Sequence, residues 1–475
     1  MTTLTINNRT VSIEQGALLI DACRAAGVEI PHYCYHPCLK VIATCRMCAV
    51  EVKGWSKLVA SCSTPAEDGM EVRTDTPAVA EARAGVMEFL LLNHPLDCPI
   101  CDQAGECKLQ DYSYQYGSGD SRMAEPKNRY DYEDLGAKIV IDKNRCIHCT
   151  RCVRFTRDIT GTCELTPINR GSHLEITTFA GLTLDSNPFA GNLVDLCPVG
   201  ALTSRSFRFK KRSWYLKPIP TISRHGADAK PIWADVDRNR LWRFRPRPEG
   251  NNTPTCFISD EERDAYRRYS IDRSQRQVSP TLNGKDAAVS DIAQTMKANG
   301  PVAVLAQGTF GCDALQRLGE LASSESLRYA HGNKRIPIQN PAIQKSEDGV
   351  INRAGAIAQG YRFDALEELL SRVEAEEVKT VVLYHDSEFS DESENALLRR
   401  ILEKSHFSLL LEPIPSNLAQ AAKATLATLP VTTYLEESDF IIDHQGNEKR
   451  YTRALIPPKG VKTPGDWVKE LLIGH

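Results

Sequence analysis

The alternation of apolar and polar residues at the start of the chain predicts a β-hairpin followed by a helix. Residues 2–13 alternate well enough for two short strands, with a turn at Asn7–Asn8 between them. A helical pattern follows over 17–26, and Gly27 is a suitable stop because glycine tolerates the left-handed conformation that ends many helices.

The pattern of the remaining chain predicts two further regions. A helix with one apolar side is expected at 79–93 and a strand at 138–141, with a loop rich in glycine, serine and charge at 117–136 between them. Farther on, apolar runs that predict buried strands alternate with helical patterns. The strands are expected at 301–305, 379–384 and 407–412, and the helices at 313–323, 365–374 and 391–404. This alternation predicts an α/β half with a parallel sheet.

Composition and charge exclude several classes of protein. The 475 residues are 41% hydrophobic and 25% charged, which is ordinary for a globular protein with three or four domains. The net charge of −3 gives no bulk electrostatic reason to expect nucleic acid or an anionic membrane. Two basic stretches, 205–217 and 238–247, are better interpreted as solvated or subunit-facing surface beside the acidic residues 259–264. Neither a secretory signal nor a membrane-spanning run is visible, so a cytoplasmic location is expected.

The cysteines are concentrated at the N-terminal end of the chain. Of the 16 cysteines, 14 precede residue 200. A chain expected in the cytoplasm has little use for a disulfide framework, so metal ligation by soft thiolates is the better interpretation. The candidate ligands form three sets of four side chains. The first set is Cys34, Cys45, Cys48 and Cys62; the second is His94, Cys98, Cys101 and Cys107; the third is Cys146, Cys149, Cys152 and Cys197.

The first set predicts a binuclear iron–sulfur site. Two close cysteines, with one well before and one well after them, follow the logic of a plant-type [2Fe–2S] site, although the first spacing is longer. After a hairpin and a helix, such a loop is typical of a β-grasp ferredoxin. Structural zinc is the alternative, but zinc sites usually carry two pairs of close cysteines. Cys38 could replace Cys34 as a ligand, and Cys23 is interpreted as a small buried apolar residue.

The second set includes a histidine, and a histidine by itself is weak evidence for a metal site. His94 lies four residues before Cys98 at the end of a predicted helix, and this place makes a ligand the better interpretation. Imidazole in place of thiolate makes the site less negative by one charge, which by itself tends to raise the reduction potential. The alternative is a histidine that merely caps or packs the helix.

The third set predicts one [4Fe–4S] cluster rather than two. A bacterial two-cluster ferredoxin would place its next cysteine at position 156, where this chain has Thr156. The fourth ligand must therefore come from elsewhere, and Cys197, which precedes Pro198, supplies it. The remaining Cys163 is interpreted as a core residue.

The three sets, in this order, resemble the family of the large iron–sulfur subunit, also called the G subunit, of bacterial NADH:quinone oxidoreductase, respiratory complex I. The runs 34–37, 45–52, 93–107 and 145–149 match that family almost residue for residue, within a resemblance that covers about residues 1–210. The resemblance implies one [2Fe–2S] and two [4Fe–4S] clusters held by the twelve side chains above. It also implies a role in electron transfer, with no catalytic residue.

The resemblance further implies partners and a location. The partners would be a flavin- and NADH-binding subunit, a [2Fe–2S] partner subunit, a ferredoxin-like two-cluster subunit and the quinone-site subunits. The chain would lie in the peripheral arm of a membrane-bound complex, at the inner face of the cell membrane, and would meet the membrane only through that complex.

Beyond residue 210 the family continues into a domain that resembles molybdopterin oxidoreductases, and some members keep a further [4Fe–4S] site at its start. Here Ser223, Gly226 and Lys230 stand where that site has cysteines, and only Cys256 remains. Both this cluster and molybdopterin are therefore expected to be absent. Residues 438–455 look like the final strand segment of the same domain.

The expected fold is an α+β N-terminal half followed by an α/β remnant that resembles molybdopterin oxidoreductases. The expected domains are a β-grasp [2Fe–2S] domain at 1–78, a one-histidine, three-cysteine [4Fe–4S] domain at 79–130, a [4Fe–4S] ferredoxin-like domain at 131–210, a degenerate [4Fe–4S] domain at 211–270 and a truncated molybdopterin-oxidoreductase-like α/β scaffold at 271–475.

Other iron–sulfur proteins with similar N-terminal regions are the alternative functions. They are an iron-only hydrogenase, the iron–sulfur subunit of a soluble NAD-linked hydrogenase and a formate dehydrogenase. Only Cys256 and Cys312 follow residue 200, which is too few cysteines for the active metal site of an iron-only hydrogenase. The long C-terminal region favours the complex I subunit over a diaphorase subunit. No glycine-rich dinucleotide motif follows a predicted strand, so no nicotinamide site is expected.

Overall fold

The computed structural model of the chain divides into two compact units. The N-terminal unit comprises residues 1–216 and 250–253, and the C-terminal unit comprises residues 217–249 and 254–475. The structure describes residues 1–131, 133–179, 182–226, 228–249, 253–270, 276–332, 340–346, 350–386, 392–414 and 416–473. In this described part of the chain, no helix is both long enough and apolar enough to cross a membrane.

The N-terminal unit begins with a five-stranded sheet and a helix, which are β1 (Thr2–Ile6), β2 (Arg9–Ile13), α1 (Leu19–Ala25), β3 (Ala49–Val52), β4 (Val59–Ala60) and β5 (Glu71–Arg73). The strand order is β2-β1-β5-β3-β4, with β1 and β5 parallel. The predicted hairpin and helix are confirmed. Asn7 and Asn8 both have positive φ, as a tight hairpin turn requires, and Gly27 follows α1 with φ +76°.

The rest of this unit consists of short elements separated by long loops. They are α2 (Pro77–Leu91), α3 (Lys108–Tyr116), β6 (Glu133–Asp134), β7 (Ile139–Ile141), α4 (Arg151–Arg154), β8 (Leu165–Ile168), β9 (Glu175–Thr178), α5 (Asn192–Leu196) and β10 (Leu202–Ser204). The Thr76 side chain caps α2, whose first residue is proline. The helix predicted at 79–93 is confirmed but ends at Leu91, and the strand predicted at 138–141 is confirmed as β7.

One local prediction in this region is wrong. The segment 117–136 was expected to be a loop throughout, yet Glu133–Asp134 pair with β7 as the short strand β6. A strand of two residues has no periodicity for a sequence pattern to reveal. Residue 132 lies outside the described residues.

The C-terminal unit starts with an antiparallel sheet and three short helices, which are β11 (Lys217–Ile222), β12 (Pro231–Asp237), β13 (Arg240–Pro246), α6 (Thr253–Cys256), α7 (Asp260–Asp264) and α8 (Tyr266–Tyr269). Ser259 forms a capping box with Glu262 at the start of α7. Buried apolar residues of β12 and β13 pack on these helices in one core.

The larger sheet of this unit has seven strands in the order β15-β14-β20-β19-β18-β16-β17. Five neighbouring strands of this sheet, β20, β19, β18, β16 and β17, are parallel. This confirms the predicted parallel α/β half. Its elements are β14 (Thr281–Leu282), β15 (Lys285–Asp286), α9 (Val289–Ala298), β16 (Val302–Gln307), α10 (Cys312–Gly319), β17 (Arg328–His331), α11 (Arg353–Ala358), α12 (Leu366–Glu374), β18 (Thr380–Tyr384), α13 (Glu392–Lys404), β19 (Phe407–Glu412) and β20 (Thr425–Pro430).

The three predicted strands correspond to β16, β18 and β19, and the three predicted helices to α10, α12 and α13. The helix expected at 313–323 ends at Gly319, and residue 391, the expected start of another, lies outside the described residues. The segment 438–455 contains the hairpin β21 (Asp439–Ile442) and β22 (Glu448–Tyr451), followed in the chain by α14 (Pro464–Ile473).

Candidate metal centres

The first candidate set lies in the loops around β3 and β4. Cys34, Cys48 and Cys62 are buried, and Cys45 is partly buried. Hydrogen bonds with the thiols of Cys45 and Cys62 lower the pKa of Cys34, and a hydrogen bond with Cys62 is the main cause that lowers the pKa of Cys48 to about 7. The four predicted ligands therefore form one connected group of sulfur atoms.

Cys38, the alternative to Cys34, is not part of this group. The structure gives Cys38 a disulfide bond, and its amide donates to His36 Nδ1 at 3.2 Å. The amide of Cys34, by contrast, donates to Cys45 Sγ at 3.5 Å. Cys23 is fully buried in α1, and burial raises the pKa of its thiol to about 12, in keeping with a core residue.

The second candidate set surrounds the loop between α2 and α3. Burial is the main cause that raises the pKa of Cys107 to about 11, and the neighbouring thiols of Cys101 and Cys98 raise it further. Burial likewise raises the pKa of Cys101, with Cys98 among the groups that act on it. The three cysteines of this set are therefore neighbours.

His94 follows the end of α2, on the same loop. Its Nδ1 atom is buried and has no hydrogen-bond partner. Burial lowers the pKa of the imidazole to about 4, so at neutral pH the ring is uncharged and has a lone pair to offer a metal. Asp97 and Arg145 act electrostatically on both His94 and Cys101.

The third candidate set lines one apolar cavity. All four cysteines lie in its wall, together with the apolar side chains Ile141, Ile147, Ile176, Val199, Ala201 and Leu202. Burial raises the pKa of each of the four thiols, and that of Cys197 reaches about 12. Four thiols in an apolar cavity suit a metal cluster, because iron stabilises the thiolates that burial alone disfavours.

One spare cysteine of this region was misplaced by sequence reasoning. Cys163 was interpreted as a core residue, but the structure exposes it, so this prediction is wrong. The residue has φ +55° in the turn that follows a π-helical segment, Phe155–Ile159. The sequence has no signal for this turn.

Backbone amides are directed at the ligand sulfurs. His148 N donates to Cys146 Sγ at 3.4 Å, and amides of Val199, Leu202 and Ala201 hydrogen-bond to Cys197. His148 and Thr150 both have positive φ, at 54°. Loops in this conformation turn several N–H groups toward one point and favour an anion there, and such bonds to sulfur tune cluster potentials.

The three sets share one hydrophobic core. This core includes Cys107 of the second set. Cys45 of the first set and Cys146, Cys149 and Cys197 of the third are partly buried and pack against it. Tyr33 and Met87 are buried within the same core. Side chains of all three sets therefore pack together within the N-terminal unit.

The chemistry of the donors suits iron–sulfur clusters. All eleven predicted cysteine ligands are free thiols. Among the described residues, no three histidine, cysteine, aspartate or glutamate side chains converge on a point where one metal ion would bind. A cluster spreads its protein ligands over two or four irons, so its ligands need not converge on one point. The orphaned His94 nitrogen and the apolar cavity of the third set are the observations that support this fit.

Two features join the second and third sets, and sequence reasoning missed both. Arg145, next to Cys146, forms a two-pronged ion pair with Asp97, next to Cys98, through Nη2 at 2.5 Å and Nε at 3.2 Å. Gly200 lies against Cys101, and a β-carbon added there would overlap the Cys101 sulfur. Neither contact has a sequence signal, because each depends on how two loops pack.

We expect Gly200→Ala to disrupt the second cluster selectively. The added methyl group collides with Cys101 Sγ, which can rotate away only if it leaves its place in the set. Iron content should fall by about four atoms, one [4Fe–4S] cluster, while the other two clusters persist. Gly85→Ala, with open space around its β-carbon within α2, is the matched control and should keep all the iron. Wild-type iron content in Gly200→Ala would contradict the placement of Cys101.

An exposed aromatic and basic surface covers the second set. Arg212 donates to the carbonyls of Pro99 and Cys101, and the Phe209 amide donates to Asp102, so the segment 209–215 lies on the ligand loop. Phe209, Trp214 and Tyr215 are more than half exposed. The segment therefore presents exposed aromatic rings beside the second set.

Comparison with known families matches each of the three regions. Residues 1–77 match a 2Fe-2S iron-sulfur cluster binding domain, residues 83–122 the NADH-ubiquinone oxidoreductase-G iron-sulfur binding region, and residues 136–203 the ferredoxin-like domain of NADH-quinone oxidoreductase subunit 3. A similar relative is the G subunit of NADH-quinone oxidoreductase from Rickettsia bellii, 42% identical over 316 residues, which are 64% of this chain and 45% of the relative. Over these regions the chain is similar to the G subunits of NADH-quinone oxidoreductases.

Other members of the G-subunit family show the same extent of similarity. The G subunit of Rickettsia prowazekii is 46% identical over 56% of this chain and 39% of its own length. The mitochondrial 78 kDa subunit of NADH-ubiquinone oxidoreductase from Neurospora crassa is 40% identical over 72% of this chain and 46% of its own length. The match thus spans less than half the length of each of these curated relatives.

A solved structure, that of an NAD⁺-reducing [NiFe]-hydrogenase in the H₂-reduced state, is 29% identical. It covers 45% of this chain and 91% of the hydrogenase chain, with a TM-score of 0.41. At this TM-score the similarity carries no argument about function.

Proposed function

We propose that the chain is an electron-transfer subunit of NADH:quinone oxidoreductase that relays electrons, through three iron–sulfur clusters, from a flavin subunit toward quinone. The observation that carries this proposal is the single hydrophobic core around which cysteines of all three sets pack. Because electron transfer weakens steeply with distance, ligand sets packed in one core suit a relay. No side chain is assigned a bond-making role, and iron–sulfur clusters supply one-electron storage and release.

The chain contributes ligation, insulation and charge. We propose Cys34, Cys45, Cys48 and Cys62 as ligands of a [2Fe–2S] cluster. Of the two [4Fe–4S] clusters, one has His94, Cys98, Cys101 and Cys107 as ligands, and the other has Cys146, Cys149, Cys152 and Cys197. Apolar walls exclude water from the third set, and amide donors offset negative charge on its sulfurs.

The partners we propose are other subunits of the complex. They are the flavin- and NADH-binding subunit, a [2Fe–2S] partner subunit, a ferredoxin-like two-cluster subunit and the quinone-site subunits. The surface at 209–215 supports a docking role, because it presents exposed aromatic rings and basic side chains beside the second set. We place the chain in the peripheral arm, on the cytoplasmic face of the membrane.

For the C-terminal unit we propose a scaffold without molybdopterin and without a fourth cluster. The amino group of Lys230, at one position where related proteins have a cluster ligand, forms a buried ion pair with Glu262 at 3.1 Å. Ser223, at another such position, is also buried. A buried pair of opposite charges needs its partners in place, which supports a structural role for this region.

A rapid-freeze experiment tests the proposal on the assembled complex. Within the first turnover after NADH is added, spectroscopy should show the cluster signals of this chain becoming reduced. In a complex whose flavin subunit has been removed, NADH should leave them oxidised, while dithionite should still reduce them. Clusters that stay oxidised during turnover of the intact complex would exclude the relay.

A further inference from the structure

Two buried arginines lie between the first and third ligand sets. Arg154 is 1% exposed and Arg151 is 9% exposed. The Nη2 group of Arg154 donates to the carbonyl of Cys34 at 2.5 Å and to that of Cys149 at 3.2 Å. One guanidinium thus contacts a ligand residue of each set.

Arg151 also contacts both sets, through residues that are next to the ligands in the sequence. It donates to the carbonyl of Tyr35, next to Cys34, and to that of Leu196, next to Cys197. The Arg151 Nε atom is buried and has no hydrogen-bond partner. Both arginines belong to α4, the helix that starts inside the third set.

Neither guanidinium has a carboxylate partner. Every hydrogen bond of the two side chains goes to a backbone carbonyl, and in the described part of the chain no aspartate or glutamate oxygen lies within 4.0 Å of either one. Asp158, whose carboxylate interacts electrostatically with Arg154, pairs instead with Arg157 at 2.8 Å. Burial lowers the pKa of Arg154, but an arginine starts so high that it stays protonated at neutral pH.

A buried charge without a counter-charge is strongly unfavourable, so these cations need an anionic neighbour. A cluster held by four thiolates has a net negative charge, and net charge is one of the factors that set its potential. We infer that the guanidiniums of Arg154 and Arg151 are the counter-charges of the first and third clusters and raise the reduction potentials of both. This inference rests on the proposed ligation, and it adds positioning residues that the ligand sets do not contain.

The test is a redox titration of the full chain with all clusters loaded. In Arg154→Met, the ratio of reduced to oxidised cluster at a fixed potential should fall about tenfold for the first and third clusters, which is about 59 mV for a one-electron couple. The second cluster should move least. Arg154→Lys keeps the charge and should stay close to wild type. Arg170→Met removes an exposed arginine of the same unit and should shift no cluster.

Each outcome decides between a charge effect and a packing effect. Unshifted potentials in Arg154→Met with full iron content would overturn the inference, as would equal shifts in Arg154→Lys and Arg154→Met. If Arg154→Met cannot hold its clusters, Arg151→Gln decides, because that side chain makes fewer hydrogen bonds. Cluster loss in both would assign the arginines to packing alone. Wild-type protein without clusters would instead refute the proposed function.

Discussion

Replacing His94 with alanine is expected to make one cluster labile while the other two persist. If the imidazole ligates iron, the variant leaves only three thiolates, from Cys98, Cys101 and Cys107, around a [4Fe–4S] core. A site short of one ligand tends to lose an iron or to take up water. The buried and unpartnered Nδ1 atom of His94 supports this role, because burying such an atom without a partner is unfavourable.

His94→Cys distinguishes ligation from packing. A fourth thiolate should restore the iron content and add one negative charge, so the potential of that cluster should fall relative to wild type. The matched control is His148→Ala. His148 also has a buried ring nitrogen without a hydrogen-bond partner, Nε2, but its ring is hydrogen-bonded to the Leu174 carbonyl, and its set already has four cysteines.

Iron content and redox titration on the three variants settle the question. We expect His148→Ala to keep all its iron, His94→Ala to lose part of one cluster, and His94→Cys to keep its iron at a lower potential. Unchanged iron and unshifted potentials in both His94 variants would show that the histidine only caps or packs the helix α2.

Cys34→Ser is expected to abolish or distort the electron paramagnetic resonance signal of the binuclear cluster, and Cys38→Ser to leave it intact. The thiol of Cys34 is hydrogen-bonded to those of Cys45 and Cys62, whereas the sulfur of Cys38 is in a disulfide bond. Both residues are buried and four positions apart, so the pair is a closely matched comparison. A signal that survives in Cys34→Ser and disappears in Cys38→Ser would reverse the assignment.

Much of the fold followed from local pattern. The first hairpin, α1 and the strands β16, β18 and β19 are long enough or apolar enough to show their periodicity in the sequence. Strands β14, β15 and β6 have two residues each and show none. Strand β17 is short and carries charged or polar residues at both ends, so its place at the edge of the sheet became clear only from the packing.

The candidate ligands were visible because thiolates at short spacings have few other uses in such a chain. The surroundings of the ligands were not visible. Arg145, Arg154 and Gly200 act across loops that the sequence separates by up to about 120 positions, as between Arg154 and Cys34. Arginine is usually exposed, so neither its burial nor its carbonyl partners can be expected from the sequence.

We propose that this chain holds one [2Fe–2S] and two [4Fe–4S] clusters. The most direct test is the metal and acid-labile sulfide content of the purified full chain after anaerobic reconstitution, with native mass spectrometry to count the bound atoms. We expect about ten irons and about ten sulfides per chain, without zinc or molybdenum. Zinc in place of iron, or about four irons more than this, would contradict this cluster content.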